Sequence, residues 1–285
     1  MSSGVRLALA MLAGFGLLGW GAGCSVVVDA NRPQCSTDAD CTNRGAEFAG
    51  SVCKAGLCEA DPQWSCPAVA PAHSYKLTMH LQDAVSMKPL PGVAAHLCRK
   101  LDVNCQNPIA GSDVVADDGG VVTLSIDSGF DGYVELTDSK ISPSLYFFST
   151  PASGDLDLPT VPLASPGAAT LIVKSAGGPS TTWLADHGIV LLNAFDCEGQ
   201  PAANITFDIG GAPDPATFIF YLVNTLPTTA TTITDATGYG GLVNVPVGTS
   251  TISALLAPSG REIGNISILV RAGYISYSSV TPNSM

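Results

Sequence analysis

The chain has 285 residues, with 12 Lys and Arg against 24 Asp and Glu, and only 13% of its residues are charged. So acidic a balance argues against nucleic acid as a partner, since phosphate binding needs clustered Lys and Arg, and against docking on anionic lipid heads through a basic patch. Thirty Gly and twenty Pro point to a turn-rich β protein rather than a helical bundle or coiled coil.

Arg6 is the only charge before Asp29, and Leu7 to Trp20 is an apolar run with small residues. This is the layout of a signal peptide over residues 1–23. A membrane-spanning helix needs about 20 apolar residues, and this run is shorter and carries Gly14, Gly16 and Gly19. The leader ends at Gly21-Ala22-Gly23-Cys24, which resembles the bacterial lipobox. Ala22, Gly23 and Cys24 match that motif, and Gly21 stands where a bulky aliphatic residue is usual; cleavage without lipid is the alternative. The resemblance implies lipidation at Cys24, a tether over 24–34, and a membrane partner reached through the anchor. A lipoprotein Cys normally bears more than one chain, and two signals are what make anchoring stable. Ser25, rather than an acid, follows the cysteine; by resemblance to enterobacterial sorting this implies the outer membrane. The expected localisation is extracytoplasmic, on the cell envelope.

Nine cysteines are present, an odd total for an exported chain. With Cys24 lipidated, Cys35, Cys41, Cys53, Cys58, Cys66, Cys98, Cys105 and Cys197 form an even set, expected as disulfides in an oxidising compartment. The segment 35–60 holds four of them with almost no apolar run. A unit so small needs cross-links to fold. Its Cys35-to-Cys41 and Cys53-to-Cys58 stretches resemble EGF-like and related Cys-rich modules of surface lipoproteins. A zinc knuckle and a calcium loop through Asp38 and Asp40 are the competing readings.

Residues 61–74 are rich in Pro and Ala and read as a semi-rigid spacer. Cys66 lies within it after Trp64 and is expected to be tied to something distant. From Tyr75 the hydrophobic period becomes two: Lys76–Leu81, Val93–Leu97, Val121–Ile126 and Tyr133–Leu136 alternate between the turns Lys88–Gly92, Asp117–Gly120 and Asp127–Gly129. The fold class expected is mainly β, with tandem antiparallel sandwiches at 75–162 and 186–285. Residues 163–185 are expected as a linker, within which 168–176 is a strand or a brief helix. In the second region Gly188–Ala194 is an apolar strand, and Gly241–Val245 and Ser250–Leu255 follow on either side of Pro246-Val247-Gly248.

The order of signals recurs. Pro89–Val93 matches Pro201–Ile205, and Asp117–Gly120 matches Asp235–Gly238, so one domain type is used twice. With Pro246-Val247-Gly248 for a hairpin, this pattern resembles the carboxypeptidase regulatory-like, or transthyretin-like, β-sandwich family. The resemblance implies accessory domains that stiffen, space or present other things and bear no active site.

Cys98 and Cys105 are placed to close a short loop, which leaves Cys66 to pair with Cys197 and hold the sandwiches at a fixed angle. No catalytic residue, metal ligand set or cofactor is expected. His80 and His96 would have to meet across neighbouring strands to bind a metal. Asp117, Asp118, Asp127 and Asp131 sit at turns, where solvated acids are the rule. Tyr146–Phe148 and Phe218–Tyr221 are expected in the core or at a strand edge rather than as a sugar platform. The expected function is a non-catalytic structural or interaction module of the envelope with a protein or polysaccharide partner. The alternative is an extracytoplasmic enzyme accessory or solute-binding lipoprotein with an unrecognised site.

Overall fold

The computed structural model describes residues 33–282, apart from 46–47, 49–50, 68–72, 128, 149–153, 212–213, 224–225 and 258. The leader and Cys24 lie outside the described residues. In chain order the Cys-rich segment gives α1 (Asp38–Thr42), β1 (Ser51–Lys54) and β2 (Leu57–Ala60). The first sandwich gives β3 (Ser74–Asp83), β4 (Ala94–Arg99), β5 (Val114–Val115), β6 (Val121–Asp127), β7 (Gly132–Thr137), β8 (Ser144–Phe147) and β9 (Leu156–Leu163). Helix α2 (Pro166–Gly177) follows. The second sandwich gives β10 (His187–Ala194), β11 (Ile205–Ile209), β12 (Phe218–Val223), β13 (Leu226–Thr228), β14 (Tyr239–Pro246), β15 (Gly248–Leu256), β16 (Arg261–Val270) and β17 (Ile275–Val280). The fold is mainly β, built as β-sandwiches.

The repeat read in the sequence is reproduced bond for bond. In the first sandwich Gly120 O accepts from Leu81 N at 2.8 Å, and Leu90 N donates to Leu81 O at 3.0 Å. In the second, Gly238 O accepts from Ala194 N at 2.9 Å, and Ala202 N donates to Ala194 O at 2.9 Å. Pro89 and Pro201 occupy matching isolated bridges, to Gln82 and Phe195. Gly120 and Gly238 sit at φ +74° and +71°, and a Cβ there would lie 2.5 Å from Leu81 O and 2.4 Å from Ala194 O. Only glycine fits where the turn closes on the strand below it.

The two sandwiches share a sheet. β10 and β14 pair antiparallel as β3 and β6 do, and β17 runs parallel to β10 as β9 runs parallel to β3. β17 then pairs parallel with β8 of the first sandwich, Ile275 opposite Ser144 and Tyr277 opposite Tyr146. The result is one nine-stranded sheet, β13-β12-β14-β10-β17-β8-β7-β4-β5, flanked by the three-stranded sheets β6-β3-β9 and β11-β15-β16. One core cluster joins the inner faces of β3, β6 and β9 to Val93, Leu97, Val134, Phe220, Val243, Ile275 and Tyr277 of the first and second sandwiches. A second cluster packs β11, β15 and β16 against Val190, Leu192, Leu145, Phe147 and Tyr133.

The stretch 163–185, expected as a linker with a strand or a brief helix at 168–176, holds the helix α2. Ser165 caps it through a bond from Ala168 N, Pro166 opens it, and Gly178 at φ +98° ends it. Ala168, Ala169, Val173 and Ala176 are buried on the first cluster; small side chains let the helix cover the part of the nine-stranded sheet that β3, β6 and β9 do not reach. Asn244 fixes the connection that follows, accepting from Leu184 N at 3.0 Å and donating to Thr182 O at 3.1 Å. Pro246-Val247-Gly248, expected as a hairpin, instead carries the chain between layers: β14 lies in the nine-stranded sheet and β15 in a flanking one. Gly240 through Val245 are buried without alternation, so neither face of β14 is left for solvent.

Candidate functional site at the seam

All eight described cysteines are paired: Cys35–Cys53, Cys41–Cys58, Cys66–Cys197 and Cys98–Cys105. Cys41–Cys58 ties α1 to β2, and Cys35–Cys53 ties the chain just before α1 to β1. The acids of the calcium reading hold backbone there: Asp38 accepts from Cys53 N at 2.7 Å, and Asp40 accepts from Ser36 N and Thr37 N at 2.7 and 2.9 Å. Those backbone donors, Ser36 first, hold the Asp40 carboxyl below the usual carboxylate range.

Within the stretch expected as a spacer, residues 61–66 are docked onto the second sandwich. Trp64 is buried in the second core cluster, Cys197 N donates to Gln63 O at 3.0 Å, and Cys66 bonds Cys197 with their Cα atoms 5.1 Å apart. An indole of that size cannot stay in water beside an open apolar face. The Cys-rich segment is thereby clasped to the second sandwich, past the whole first sandwich in sequence.

Three loops meet at the seam between the sandwiches: the Cys98–Cys105 loop, the 246–248 crossing and the 271–274 turn. Arg271 is their centre. Its guanidinium donates through Nη1 to Glu135 at 2.5 Å and through Nη2 to the Tyr133 hydroxyl, and it lies 5.2 Å from the centroids of both the Tyr133 and Tyr274 rings. Tyr133 in turn donates to the carbonyl of Asp102 inside the disulfide loop, and burial pushes its phenol up. Asp102 shapes that loop by accepting from Asn107 N at 2.7 Å and Gln106 N at 2.9 Å, and these bonds, Asn107 first, hold it below the usual carboxylate range. Charge pairing, stacking and hydrogen bonding on a single cation make the seam a clamp.

Beside the clamp runs a groove of about 570 Å³, lined by Val103, Asn104, Val247, Leu269, Arg271 and Tyr274. Val103 and Val247, which line it, are 48% and 53% exposed. Sequence reasoning passed over Arg271. The signal was a lone cation closing the long apolar strand Ile266–Val270 immediately before a Gly turn.

The remaining candidates separate. His80 lies on the outer face of the sheet holding β3, against Asp157 at 3.2 Å. His96 lies on the far face of the nine-stranded sheet, against Asp113 at 2.7 Å. The first core lies between them, because each is the outward neighbour of buried residues (Met79 and Leu81; Ala95 and Leu97). Asp117 accepts from Gly119 N and Val121 N within its own turn, and Asp131 pairs loosely with Lys100 at 3.6 Å. Phe147, Phe220 and Tyr221 are core residues, Tyr221 stacked on Phe207 with centroids 5.9 Å apart.

No family model and no curated protein matches the chain. Among solved structures it is similar to the Bacillus anthracis TIE protein, at 13% identity and TM-score 0.26 over 74% of this chain and 34% of that one; the chain therefore spans about a third of that protein's length. It is also similar to the shaft pilin SpaA from Lactobacillus rhamnosus GG (12% identity, TM-score 0.23, 75% of this chain and 98% of that one). A third is BcpA, the major pilin subunit of Bacillus cereus (8% identity, TM-score 0.25, 74% and 100%).

Proposed function

We propose that this protein is a lipid-anchored component of the cell envelope, on the outer membrane, that works without catalysis as a stiff module presenting a surface to a protein or polysaccharide partner. The observation that carries the reading is the pairing of β17 with both β10 and β8. Two sandwiches joined through a continuous sheet, with an Arg271 clamp on one face, cannot hinge as beads on a string do. A body that transmits position rather than changes shape suits a spacer or scaffold. Four disulfides in so small a protein fit an oxidising compartment, and the lipobox-like Cys24 supplies the attachment.

The test is metabolic labelling with palmitate in the native host, with Cys24→Ser beside wild type. Label in wild type alone, together with protein recovered in the outer-membrane fraction, is the expected result. Label in neither, with the thiols reduced in cells, overturns the reading. The groove favours a second reading, a solute-binding lipoprotein. Val247→Glu would then abolish ligand uptake while leaving envelope attachment intact; the scaffold reading expects partner crosslinking in intact envelopes and no bound solute.

A further inference from the structure

We propose that His187 and Asp214 bind a divalent transition-metal ion at the start of the second sandwich, with Asp186 as the residue that positions the imidazole. The backbone of His187 is fixed from three sides: its N–H donates to Leu184 O at 3.1 Å, and its carbonyl accepts from Gly273 N at 3.0 Å and from Trp183 Nε1 at 2.9 Å. Its side chain is only 10% exposed. Nδ1 lies 2.7 Å from the Asp186 carboxylate, and a carboxylate only accepts, so Nδ1 carries the proton. The same bond is the leading reason that the Asp186 carboxyl sits below its ordinary range.

In the neutral ring Nε2 is then a bare lone pair. It is buried with no hydrogen-bond partner, and it faces Asp214 Oδ2 at 4.0 Å. Asp214 Oδ1 is held by Ala216 N at 2.7 Å, which leaves Oδ2 as the oxygen turned to the ring. Two acceptors face each other across a gap too long for a direct hydrogen bond and short enough to share one cation. Metal–nitrogen and metal–oxygen bonds near 2.0–2.2 Å span such a gap at a wide angle, and a tetrahedral angle needs the side chains to close by about 0.6 Å. A carboxylate on the second ring nitrogen is the usual support of a metal-bound histidine. One imidazole and one carboxylate suit zinc, nickel or copper rather than calcium, and water completes the shell on the side where Asp214 is 36% exposed. His80 and His96 lack this arrangement: each has one carboxylate, and their side chains are 37% and 31% exposed.

The experiment is a zinc titration of the disulfide-intact protein by calorimetry, with nickel quenching of Trp183 emission as a second readout. Wild type is expected to take up one zinc reversibly and to lose it to EDTA. His187→Gln should abolish binding and the nickel quench. Asp214→Asn, a partly exposed position that leaves the fold intact by circular dichroism, should weaken zinc at least tenfold, and Asp186→Asn by about 10–100-fold. Zinc affinity unchanged in Asp214→Asn, or no saturable uptake by wild type at millimolar zinc, overturns the proposal.

Discussion

The two sandwiches are built from the same turns and end in the same kind of strand, yet the strands β9 and β17 have opposite fates. Both run parallel to the first strand of their own sandwich. β17 is also paired on its second side, to β8, whereas β9 ends its sheet. Their sequences account for the difference. β9 carries Pro159 and Pro162, which remove two backbone donors, and the exposed Asp157; prolines and charges are what keep an edge from recruiting another strand. β17 reads Ile-Ser-Tyr-Ser-Ser-Val, with no proline and no charge, and its hydroxyls turn inward: Ser276 Oγ donates to Leu269 O at 2.8 Å and Ser278 Oγ to Phe147 O at 3.4 Å. An identical scaffold becomes a joint or a terminus according to what one strand offers at its rim.

The largest effect should therefore come from breaking β17. Ser276→Pro removes a ladder donor from a strand paired on both sides, a place where proline is essentially not tolerated, and it deletes the Leu269 bond. Thr160→Pro, the counterpart in β9, falls on an exposed edge residue. Thermal unfolding should show Ser276→Pro collapsing or splitting the transition while Thr160→Pro moves it by a few degrees. Equal losses would mean that β17 is no keystone.

The clasps come next. Opening Cys66–Cys197, whose partners are 131 residues apart in sequence, releases a long loop, and chain entropy assigns it about 5 kcal/mol at most. Cys98–Cys105, seven residues apart, is assigned about 2.5 kcal/mol. Paired Cys→Ser variants unfolded in guanidinium should rank in that order. The reverse order would place the stability in the shape of the short loop and not in the tie across the molecule.

Gly120→Ala and Gly238→Ala sharpen the comparison instead. Each introduces a Cβ within 2.5 Å of the equivalent carbonyl at a left-handed φ, and each should destabilise by about 2–4 kcal/mol. If the repeat is geometric, the two costs agree to within about 1 kcal/mol. One tolerated alanine would show that the two turns only look alike.

How much of this was readable follows the range of the interaction. The turns were legible because Pro89 and Pro201, or Gly120 and Gly238, answer constraints set within a few residues: a fixed φ, a missing Cβ, a capped N–H. Strands β3, β6 and β10 were legible from their apolar patterns, and the long-range tie of Cys66 from its isolation in a Pro-rich stretch. The shared sheet was not legible. It rests on β17 lying beside β8, about 130 residues away, and a Ser-rich strand buried on both sides has no alternation to announce it. The 246–248 crossing failed for the same reason, since a turn motif fixes φ but not which layer the next strand joins. Residues 168–176 were too short and too rich in alanine to choose helix over strand until a bare sheet face was there to cover. At the seam, Arg271 was one cation among few, and its meaning depends on Glu135 and Tyr133 from the other sandwich.

The joint also has a pH signature, which it shares in direction with the buried phenols of Tyr75, Tyr133, Tyr221 and Tyr239. Tyr146 of β8 and Tyr277 of β17 are register partners across it, and burial pushes both phenols up to about 12 from an ordinary 10. A raised folded-state value means that the native protein holds the proton more tightly than the unfolded chain does. The stabilisation is complete below pH 10 and is lost as pH rises through about 12, amounting to about 1 kcal/mol per tyrosine lost at pH 11. Tyr277→Phe also removes the bond from Ala164 N at 3.2 Å, so it should cost about 1 kcal/mol in neutral solution while flattening the alkaline slope. Tyr146→Phe should flatten the slope at little neutral cost. Denaturant midpoints measured between pH 8 and 11 separate the two. A slope that survives both substitutions undiminished would place the alkaline sensitivity in the other buried phenols, Tyr133, Tyr221 and Tyr239 among them, and leave the joint indifferent to pH.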